Sequence, residues 1–343
     1  MIYPWQLDDW NRLQRLRPQW PHALLLHGQA GIGKLHFAQH LARGLLCEAP
    51  AENGEPCGAC VACNWFAQGN HPDYRAIAPE ALAGEAGVAG AQPADEKSDA
   101  EDGKKTRAPS KEIKIEQVRA LLDFCGVGSH RGGARVVLVY PAEALNAAAA
   151  NALLKTLEEP PAGVVFLLVS ARIDRLLPTI VSRCRQWPMP TPASERARQW
   201  IADQGVADAA AWLAEAGGAP LAALALAADE NRALREFMLR QLAGGRDCDA
   251  FACGEALQKL PVPVVLGWLQ RWLYDLLAQR TAQRPRYFPA AARELARCAA
   301  CIDANAFARY LRTVTRERAV ENHPLNARLV FEALFIGYRD LFV

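Results

Sequence analysis

Residues 27–37 read HGQAGIGKLHF, in which Gly28, Gly33 and Lys34 have the spacing of a phosphate-binding loop. In such a loop, glycines let backbone N–H groups surround an anion, and the lysine neutralises part of its charge. We therefore predict that Gly28, Gly31, Gly33 and Lys34 form a nucleotide-binding loop. A glycine-rich turn that merely precedes a lysine is the alternative explanation.

The groups that would hold magnesium beside a nucleotide are missing from their usual positions. Leu35 stands where such a loop has the hydroxyl of Ser or Thr, and a leucine cannot ligate a metal. The apolar stretch at 135–139 is followed by Tyr140 and Pro141, where a hydrolase has carboxylates. Glu143 lies farther along, and it could reach back only through a rearranged turn. The sequence is compatible with ATP binding, and it predicts no hydrolysis.

Four cysteines, Cys47, Cys57, Cys60 and Cys63, form a C-x9-C-x2-C-x2-C pattern. Four thiolates at such spacings suit the tetrahedral coordination of zinc. The alternatives are reduced packing cysteines and a redox pair, although the second lacks any thioredoxin-like context. Because residues 44–74 contain no Lys or Arg, this module has no cation for phosphate contacts, and we predict a structural zinc.

The elements that must position these residues alternate between strand-like and helical patterns over residues 23–190. The predicted strands are 23–27, 73–77, 135–140, 164–170 and 184–187. The predicted helices are 34–47, 113–125, 146–159 and 173–183. Such alternation predicts an α/β fold in which helices cover both faces of a mostly parallel five-stranded sheet. The phosphate-binding loop then lies at the carboxyl ends of the strands.

The sequence pattern changes at two places along the chain. Residues 79–111 contain no aromatic residue and many Ala, Gly, Pro and charged residues, so we predict a disordered insertion there. After residue 190 the strand patterns stop. We predict three domains: residues 1–190 with the zinc module at 47–63, a small helical domain at 191–230, and an all-α domain at 231–343.

The overall composition is that of a folded soluble protein. The chain has 343 residues, is 51% hydrophobic and carries a formal net charge of +2. It contains no apolar run of the ~20 residues that a membrane helix needs. Its start, MIYPWQLDDW, lacks the basic and apolar regions of a secretory signal. We therefore expect a cytoplasmic protein without a membrane partner, in which thiols stay reduced.

Two longer motifs indicate a family. NALLKTLEEPP at 151–161 and TIVSRC at 179–184 resemble the bacterial clamp-loader proteins of the AAA+ family. The cysteine pattern and HPDY at 71–74 complete this resemblance, and YPW near the start is similar to the delta-prime branch of the family. The resemblance implies an AAA+ P-loop type sheet with an inserted zinc module, a small helical lid domain and a C-terminal oligomerisation collar.

The resemblance also implies a function and partners. It implies a hydrolysis-incompetent subunit of a hetero-pentamer that contains motor gamma/tau-like and delta-like subunits and places a sliding clamp on primer-template DNA. Such a loader belongs to a DNA-directed DNA polymerase (nucleotidyltransferase) holoenzyme, although we expect no polymerase chemistry of this chain.

Arg183 has a second interpretation within this resemblance. From the residues alone it is a cation at a helix end, where the helix dipole favours it. In clamp loaders, the Ser-Arg-Cys arginine projects into the ATP site of a neighbouring subunit as an arginine finger. The lid has no arginine of its own to offer, because no Lys or Arg lies between Arg198 and Arg232.

Two other functions remain open at this point. An ATP-hydrolysing motor subunit of the same loader would need carboxylates at positions 140 and 141. An independent zinc-dependent nucleic-acid-binding protein would need basic residues around Cys47–Cys63. The sequence provides neither.

Overall fold

The computed structural model describes residues 2–83, 109–130, 132–319 and 326–342. The chain forms two compact units, Met1–Pro192 and Ala193–Val343, which are described separately. The first unit contains the sheet, and the described part of the second is helical. The predicted fold class, a parallel α/β sheet followed by helical domains, is confirmed.

The sheet of the first unit has five strands, and every neighbouring pair is parallel. Their order is β2-β3-β4-β1-β5. The central strands are apolar and buried on both faces, as parallel strands between two helical layers must be. The strands are β1 Ala23–His27, β2 Tyr74–Ile77, β3 Arg135–Val139, β4 Val164–Ser170 and β5 Arg185–Pro188.

The described residues of the first unit form six α-helices: α1 Leu7–Gln14, α2 Lys34–Leu46, α3 Val61–Ala67, α4 Ile115–Gly126, α5 Ala147–Glu158 and α6 Pro178–Arg183. The single helix predicted at 173–183 was wrong. A short 3-10 turn at Ile173–Arg175 precedes α6 instead. Helix α6 begins at Pro178, because a proline lacks the N–H that the first turn of a helix leaves unbonded.

Most of the predicted insertion, residues 84–108, lies outside the described residues. Its flanks are joined by side-chain contacts. A carboxylate oxygen of Glu80 accepts a hydrogen bond from Ser110 N at 3.0 Å, and the other lies 3.2 Å from the Lys114 ammonium. The two ends of the segment are therefore held together beside α4.

The second unit contains nine described α-helices: α7 Ser194–Asp203, α8 Ala209–Glu215, α9 Pro220–Ala227, α10 Arg232–Ala243, α11 Ala250–Leu257, α12 Val262–Ala282, α13 Ala292–Ala300, α14 Ala304–Ala319 and α15 Ala327–Arg339. Helices α7–α9 enclose one apolar cluster around Trp212, and the later helices enclose another around Trp272 and Tyr338. The predicted domain boundary near residue 230 falls between these clusters, and it stays a prediction.

A buried ion pair joins the two clusters of the second unit. Arg235 donates to Glu215 at 2.7 Å, and its guanidinium lies 4.4 Å from the centre of the Trp212 ring.

Among the described residues, no single helix has the length and apolar composition of a membrane span. Only α8 and α9, taken together across a bend of 110°, meet that criterion of length and composition.

Candidate functional site

The phosphate-binding loop joins β1 to α2 at the carboxyl edge of the sheet. Strand β1 lies between β4 and β5, so the loop occupies the crevice where ligands bind in open α/β sheets. Two of its glycines are required by close approach. A Cβ on Gly28 would lie 2.3 Å from the Met189 carbonyl oxygen, and one on Gly33 would lie 2.5 Å from two ring carbons of Tyr3. Both glycines, like Gly31, have positive φ angles.

Lys34 is the first residue of α2, and its side chain is buried. Its ammonium donates hydrogen bonds to the carbonyl oxygens of Gly28 at 2.8 Å and Gln29 at 2.6 Å. Burial lowers the pKa of Lys34 from its ordinary 10.5 to about 8, while the nearby charge of Glu143 acts in the opposite direction. The loop thus supplies most of the partners of this lysine itself.

The N-terminal segment packs directly on the loop. The rings of Tyr3 and Trp5 stack at 4.9 Å and 3°. The side chains of Trp5 and Gln6 both donate hydrogen bonds to the Ile32 carbonyl oxygen at 3.0 Å. Sequence reasoning did not predict this contact. The YPW motif contributed to the family resemblance, but no local sequence pattern connects it with a loop that lies far along the chain.

The positions that would hold magnesium are apolar and packed together. Leu35 and Tyr140, which replace the loop hydroxyl and the first carboxylate, both contact the buried residue Ala78, as does Ala76 of β2. Leu35 and Tyr140 therefore belong to one small apolar cluster, in which they share Ala78 as a neighbour. The expectation that the chain does not hydrolyse ATP stays a prediction.

Glu143 lies closer to the loop than its place in the sequence suggests. It is the middle residue of the 3-10 turn Ala142–Ala144, after β3. One carboxylate oxygen accepts a hydrogen bond from Ala171 N, just beyond β4, at 2.9 Å. Its charge partly opposes the lowering of the Lys34 pKa by burial. The pKa of Arg172 is raised first by its hydrogen bond to Asp174, and the charge of Glu143 adds to this in a minor way. This turn brings Glu143 close enough to Lys34 for its charge to act on the ammonium.

The four predicted zinc ligands converge. The sulfur atoms of Cys47, Cys57, Cys60 and Cys63 all lie within 4.8 Å of one another, and those of Cys47 and Cys60 are 3.9 Å apart. Tetrahedral zinc with Zn–S bonds of about 2.3 Å places its sulfurs about 3.8 Å apart. The geometry and the donor set therefore fit a tetrathiolate zinc site.

Backbone N–H groups surround the sulfur cluster. Cys57 N donates to the Cys47 sulfur at 3.3 Å, Cys60 N to that of Cys57 at 3.3 Å, and Cys63 N to that of Cys60 at 3.4 Å. The N–H groups of Ala59 and Cys60 lower the pKa of the Cys57 thiol to about 6. Such donors favour the thiolate form, which is the form that binds zinc.

Helix α2 and helix α1 hold the cysteine module in place. Cys47 directly follows α2, and Cys60 caps the start of α3. His40 of α2 forms a 2.6 Å hydrogen bond with Glu55, within the segment between Cys47 and Cys57. From α1, Trp10 donates to the Asn53 carbonyl oxygen at 3.0 Å. Neither contact follows from sequence spacing, because each joins residues that are far apart in the chain.

Arg183 is the last residue of α6, and 30% of its side chain is exposed. It donates to the Thr179 carbonyl oxygen at 2.9 Å and forms an ion pair with Glu158, at the end of α5. The two family motifs, LKTLEEPP and SRC, therefore meet at this ion pair. Within the part of the chain that the structure describes, the side chain of Arg183 donates hydrogen bonds to these two residues and to none in the loop or the cysteine module.

Lys34 generates a prediction about pH. Below about pH 8 the folded protein carries a buried charge; between about pH 8 and 10.5 it releases a proton that the unfolded chain keeps. The unfolded state then binds more protons, so stability rises with pH in this window. We expect the free energy of unfolding of wild type, relative to Lys34→Met, to rise by up to about 3 kcal/mol from about pH 7 to about pH 10.5.

Denaturant titrations of both proteins at several pH values measure this difference, and other titrating groups cancel in the comparison. An unchanged difference across the window would show that the ammonium of Lys34 is as well solvated in the folded state as in the unfolded one.

The chain is similar in sequence to known proteins over most of its length. A family model described as "DNA polymerase III, delta subunit" matches residues 10–193. The DNA polymerase III subunit delta' of Pseudomonas aeruginosa is 38% identical over 288 residues, covering 80% of this chain and 77% of the relative. The DNA polymerase III subunit delta' of Escherichia coli (strain K12) is 34% identical over 281 residues, covering 80% of this chain and 76% of the relative.

A third relative has a different name. The DNA polymerase III subunit tau of Escherichia coli (strain K12) is 34% identical over 180 residues, which are 52% of this chain and 23% of that protein. The two delta' relatives match over much more of the chain than tau does. Because the family model and the delta' relatives match over these lengths, the chain belongs to the family of delta' subunits of bacterial DNA polymerase III.

Proposed function

We propose that this chain is the non-hydrolysing subunit of a cytoplasmic clamp loader. In this proposal it assembles with gamma/tau-like motor subunits and a delta-like subunit into a hetero-pentamer. The assembly, rather than this chain alone, contacts the sliding clamp and primer-template DNA. The family membership and the likeness to a tau subunit support an assembly of this kind.

The observation that carries the non-hydrolysing role is the apolar cluster of Leu35 and Tyr140 on Ala78. Hydrolysis of ATP requires a cation between the β- and γ-phosphates and a carboxylate that orients water. Here a hydrocarbon contact replaces both groups. Glu143 alone does not restore them, because one carboxylate, with one oxygen bonded to Ala171 N, cannot replace both the loop hydroxyl and the carboxylates that would follow β3.

Arg183 gives this subunit an effect on its neighbour. A guanidinium at a subunit boundary can stabilise the charge of a phosphoryl group during its transfer. The partial exposure of Arg183 supports this role. Its ion pair with Glu158 would hold the guanidinium at the end of α5 before the subunits assemble. We propose that Arg183 is an arginine finger in trans, which rests on the clamp-loader assignment.

The structure supports the two rival functions less well. A motor subunit would need oxygen ligands in the cluster that Leu35 and Tyr140 fill. A zinc-dependent nucleic-acid binder would present cations around the cysteines, but residues 44–74 contain none and include Glu48, Glu52 and Glu55. We therefore propose that zinc is structural and stabilises the segment from Cys47 to Cys63.

We expect the purified chain not to hydrolyse ATP, because it lacks magnesium ligands at its loop. Phosphate release is measured with and without magnesium, and Lys34→Ala is the control for a contaminating ATPase. Steady turnover by wild type that disappears in Lys34→Ala would contradict the non-hydrolysing assignment.

We expect one zinc ion per chain, bound by Cys47, Cys57, Cys60 and Cys63. Elemental analysis of the native protein measures the metal, and calorimetry measures Tm before and after chelation. Removal of zinc should lower Tm, because metal binding contributes to folding free energy. A metal-free protein whose Tm does not change with chelator would disprove the zinc assignment.

We expect Arg183→Ala to slow ATP hydrolysis in the reconstituted loader while leaving assembly intact. Arginine fingers contribute on the order of 10³–10⁵ in rate, and other active sites of the pentamer limit the loss for the whole assembly. Arg183→Lys should restore little, because an ammonium lacks the planar fork. The assay is ATPase activity stimulated by clamp and primed DNA.

Arg185→Ala is the matched control for this experiment, because Arg185 is an exposed arginine two residues farther along, in β5. If a complete loader that contains Arg183→Ala hydrolyses ATP at the wild-type rate, the arginine-finger proposal is wrong. Arg183 would then be explained as a cation at a helix end. An equal loss with Arg185→Ala would point to a general change at this edge of the sheet.

A further inference from the structure

Helix α14 carries three exposed arginines on one face. Arg309, Arg312 and Arg316 are spaced i, i+3 and i+7, so they lie on the same side of the helix. All three are exposed to solvent. We call these three residues the arginine stripe. It extends along about 10 Å of helix.

The opposite face of α14 fixes the helix in place. Phe307, Tyr310 and Val314 have the same spacing two residues earlier, which places them about 200° around the helix from the arginines. All three are buried in the larger apolar cluster of the second unit. The Tyr310 hydroxyl also donates to the Leu334 carbonyl oxygen of α15 at 2.6 Å. The arginine stripe is therefore presented by a helix whose other side is packed in a core.

Three other helices of the second unit pair an exposed arginine with a carboxylate three or four residues away. Such pairs stabilise a helix, whereas like charges at the same spacing destabilise it. The pairs are Arg198 with Glu195 at 2.6 Å in α7, Arg232 with Glu236 at 2.8 Å in α10, and Arg328 with Glu332 at 2.7 Å in α15.

The arginine stripe has no such partners. No Asp or Glu stands three or four residues before or after Arg309, Arg312 or Arg316, and the stripe instead contains like charges at both spacings. Within the described part of the chain, no ion pair includes any of the three. Glu317 is adjacent to Arg316 in sequence and lies about 100° around the helix from it. The helix thus retains a repulsion that a bound polyanion would remove.

Positive charge is concentrated in this part of the sequence. Residues 280–318 contain nine arginines, no lysine and three acidic residues. Because the whole chain has a formal net charge of only +2, the remainder of the chain is negative overall. A guanidinium can bind two phosphate oxygens at once, so an arginine-rich surface suits a partner made of phosphate groups.

A nucleic acid fits this surface better than a membrane or an acidic protein does. A membrane-bound amphipathic helix inserts its apolar face, but that face of α14 is buried. A protein interface normally has an apolar centre, and none of the exposed large apolar side chains among the described residues lies in α14. Phosphate contacts need only cations. Because the aromatic residues of α14 are buried, no base can stack on them.

We propose that Arg309, Arg312 and Arg316 form a contact site for the phosphate backbone of DNA, which binds independently of base sequence. The choice of DNA as the nucleic acid rests on the proposed clamp-loader function. In that assembly, this chain contributes a direct DNA contact from its C-terminal helices.

The test measures binding of a fluorescent DNA duplex to the full-length chain by anisotropy at several salt concentrations. The variant changes the whole stripe, Arg309→Gln, Arg312→Gln and Arg316→Gln, and keeps residues that favour a helix. Each lost phosphate contact lowers the slope of log affinity against log salt by about 0.9, so we expect the slope to fall by about 3. Between about 50 and 200 mM salt, wild type should then lose roughly 40-fold more affinity than the variant.

An unchanged slope in this variant, or no binding by wild type at low salt, would overturn the proposal. Changing the same three residues to lysine should preserve most of the slope, because counterion release depends on charge. The glutamine variant should keep its Tm or raise it, because it removes like-charge pairs and leaves the packed face intact. A lower Tm would assign the three arginines a structural role instead.

The matched control changes three paired arginines, Arg198→Gln, Arg232→Gln and Arg328→Gln. It removes the same charge from the same unit, and we expect it to keep the wild-type salt slope. An equal fall of the slope in both variants would show that total charge determines binding, and it would contradict the proposal.

Two further measurements identify the partner. Poly-glutamate that binds wild type more tightly than the duplex does would make the partner an acidic protein, and strong discrimination between duplexes of different sequence would contradict a backbone contact. The assay uses the purified chain without other subunits. Failure of the chain to assemble into a loader would therefore refute the proposed function and not the DNA contact.

Discussion

The buried ammonium group of Lys34 needs hydrogen-bond acceptors and an opposite charge. The residues around the predicted phosphate-binding loop provide both. Two carbonyl oxygens of the loop accept its hydrogen bonds, and the Glu143 carboxylate provides a nearby opposite charge. Gly28, Gly31 and Gly33 adopt positive φ angles, which other residues rarely do, and so allow the backbone to turn at these points of the loop. Tyr3 packs where any side chain at position 33 would stand. Loop, turn and N-terminal segment therefore depend on one another.

Helix α2 extends this dependence to the cysteine module. It has 13 residues, which is about 20 Å of helix, with Lys34 at one end and Cys47 immediately beyond the other. Phe37, Ala38 and Leu41 fix the helix against the core of the first unit. The cysteine module and the loop are therefore attached to the two ends of one buried helix.

The sequence predicts the parts of this unit that depend on local pattern. Apolar runs located the five strands to within one residue at every end, and the glycine and cysteine spacings located the loop and the sulfur cluster. Contacts between distant segments could not be predicted, because periodicity contains no information about them. Tyr3 on Gly33, His40 with Glu55 and Trp10 with Asn53 are all of this kind. The division of the helix before Pro178 could have been predicted, since proline favours a helix start.

The packing of Leu35 and Tyr140 on Ala78 makes these two positions energetically dependent on each other. A polar side chain introduced at position 35 or at position 140 would replace an apolar contact with the buried residue Ala78. Because the two positions share this neighbour, the effects of substitutions at them on stability should not add. An exchange of both residues must therefore be evaluated as a pair and not as two single changes.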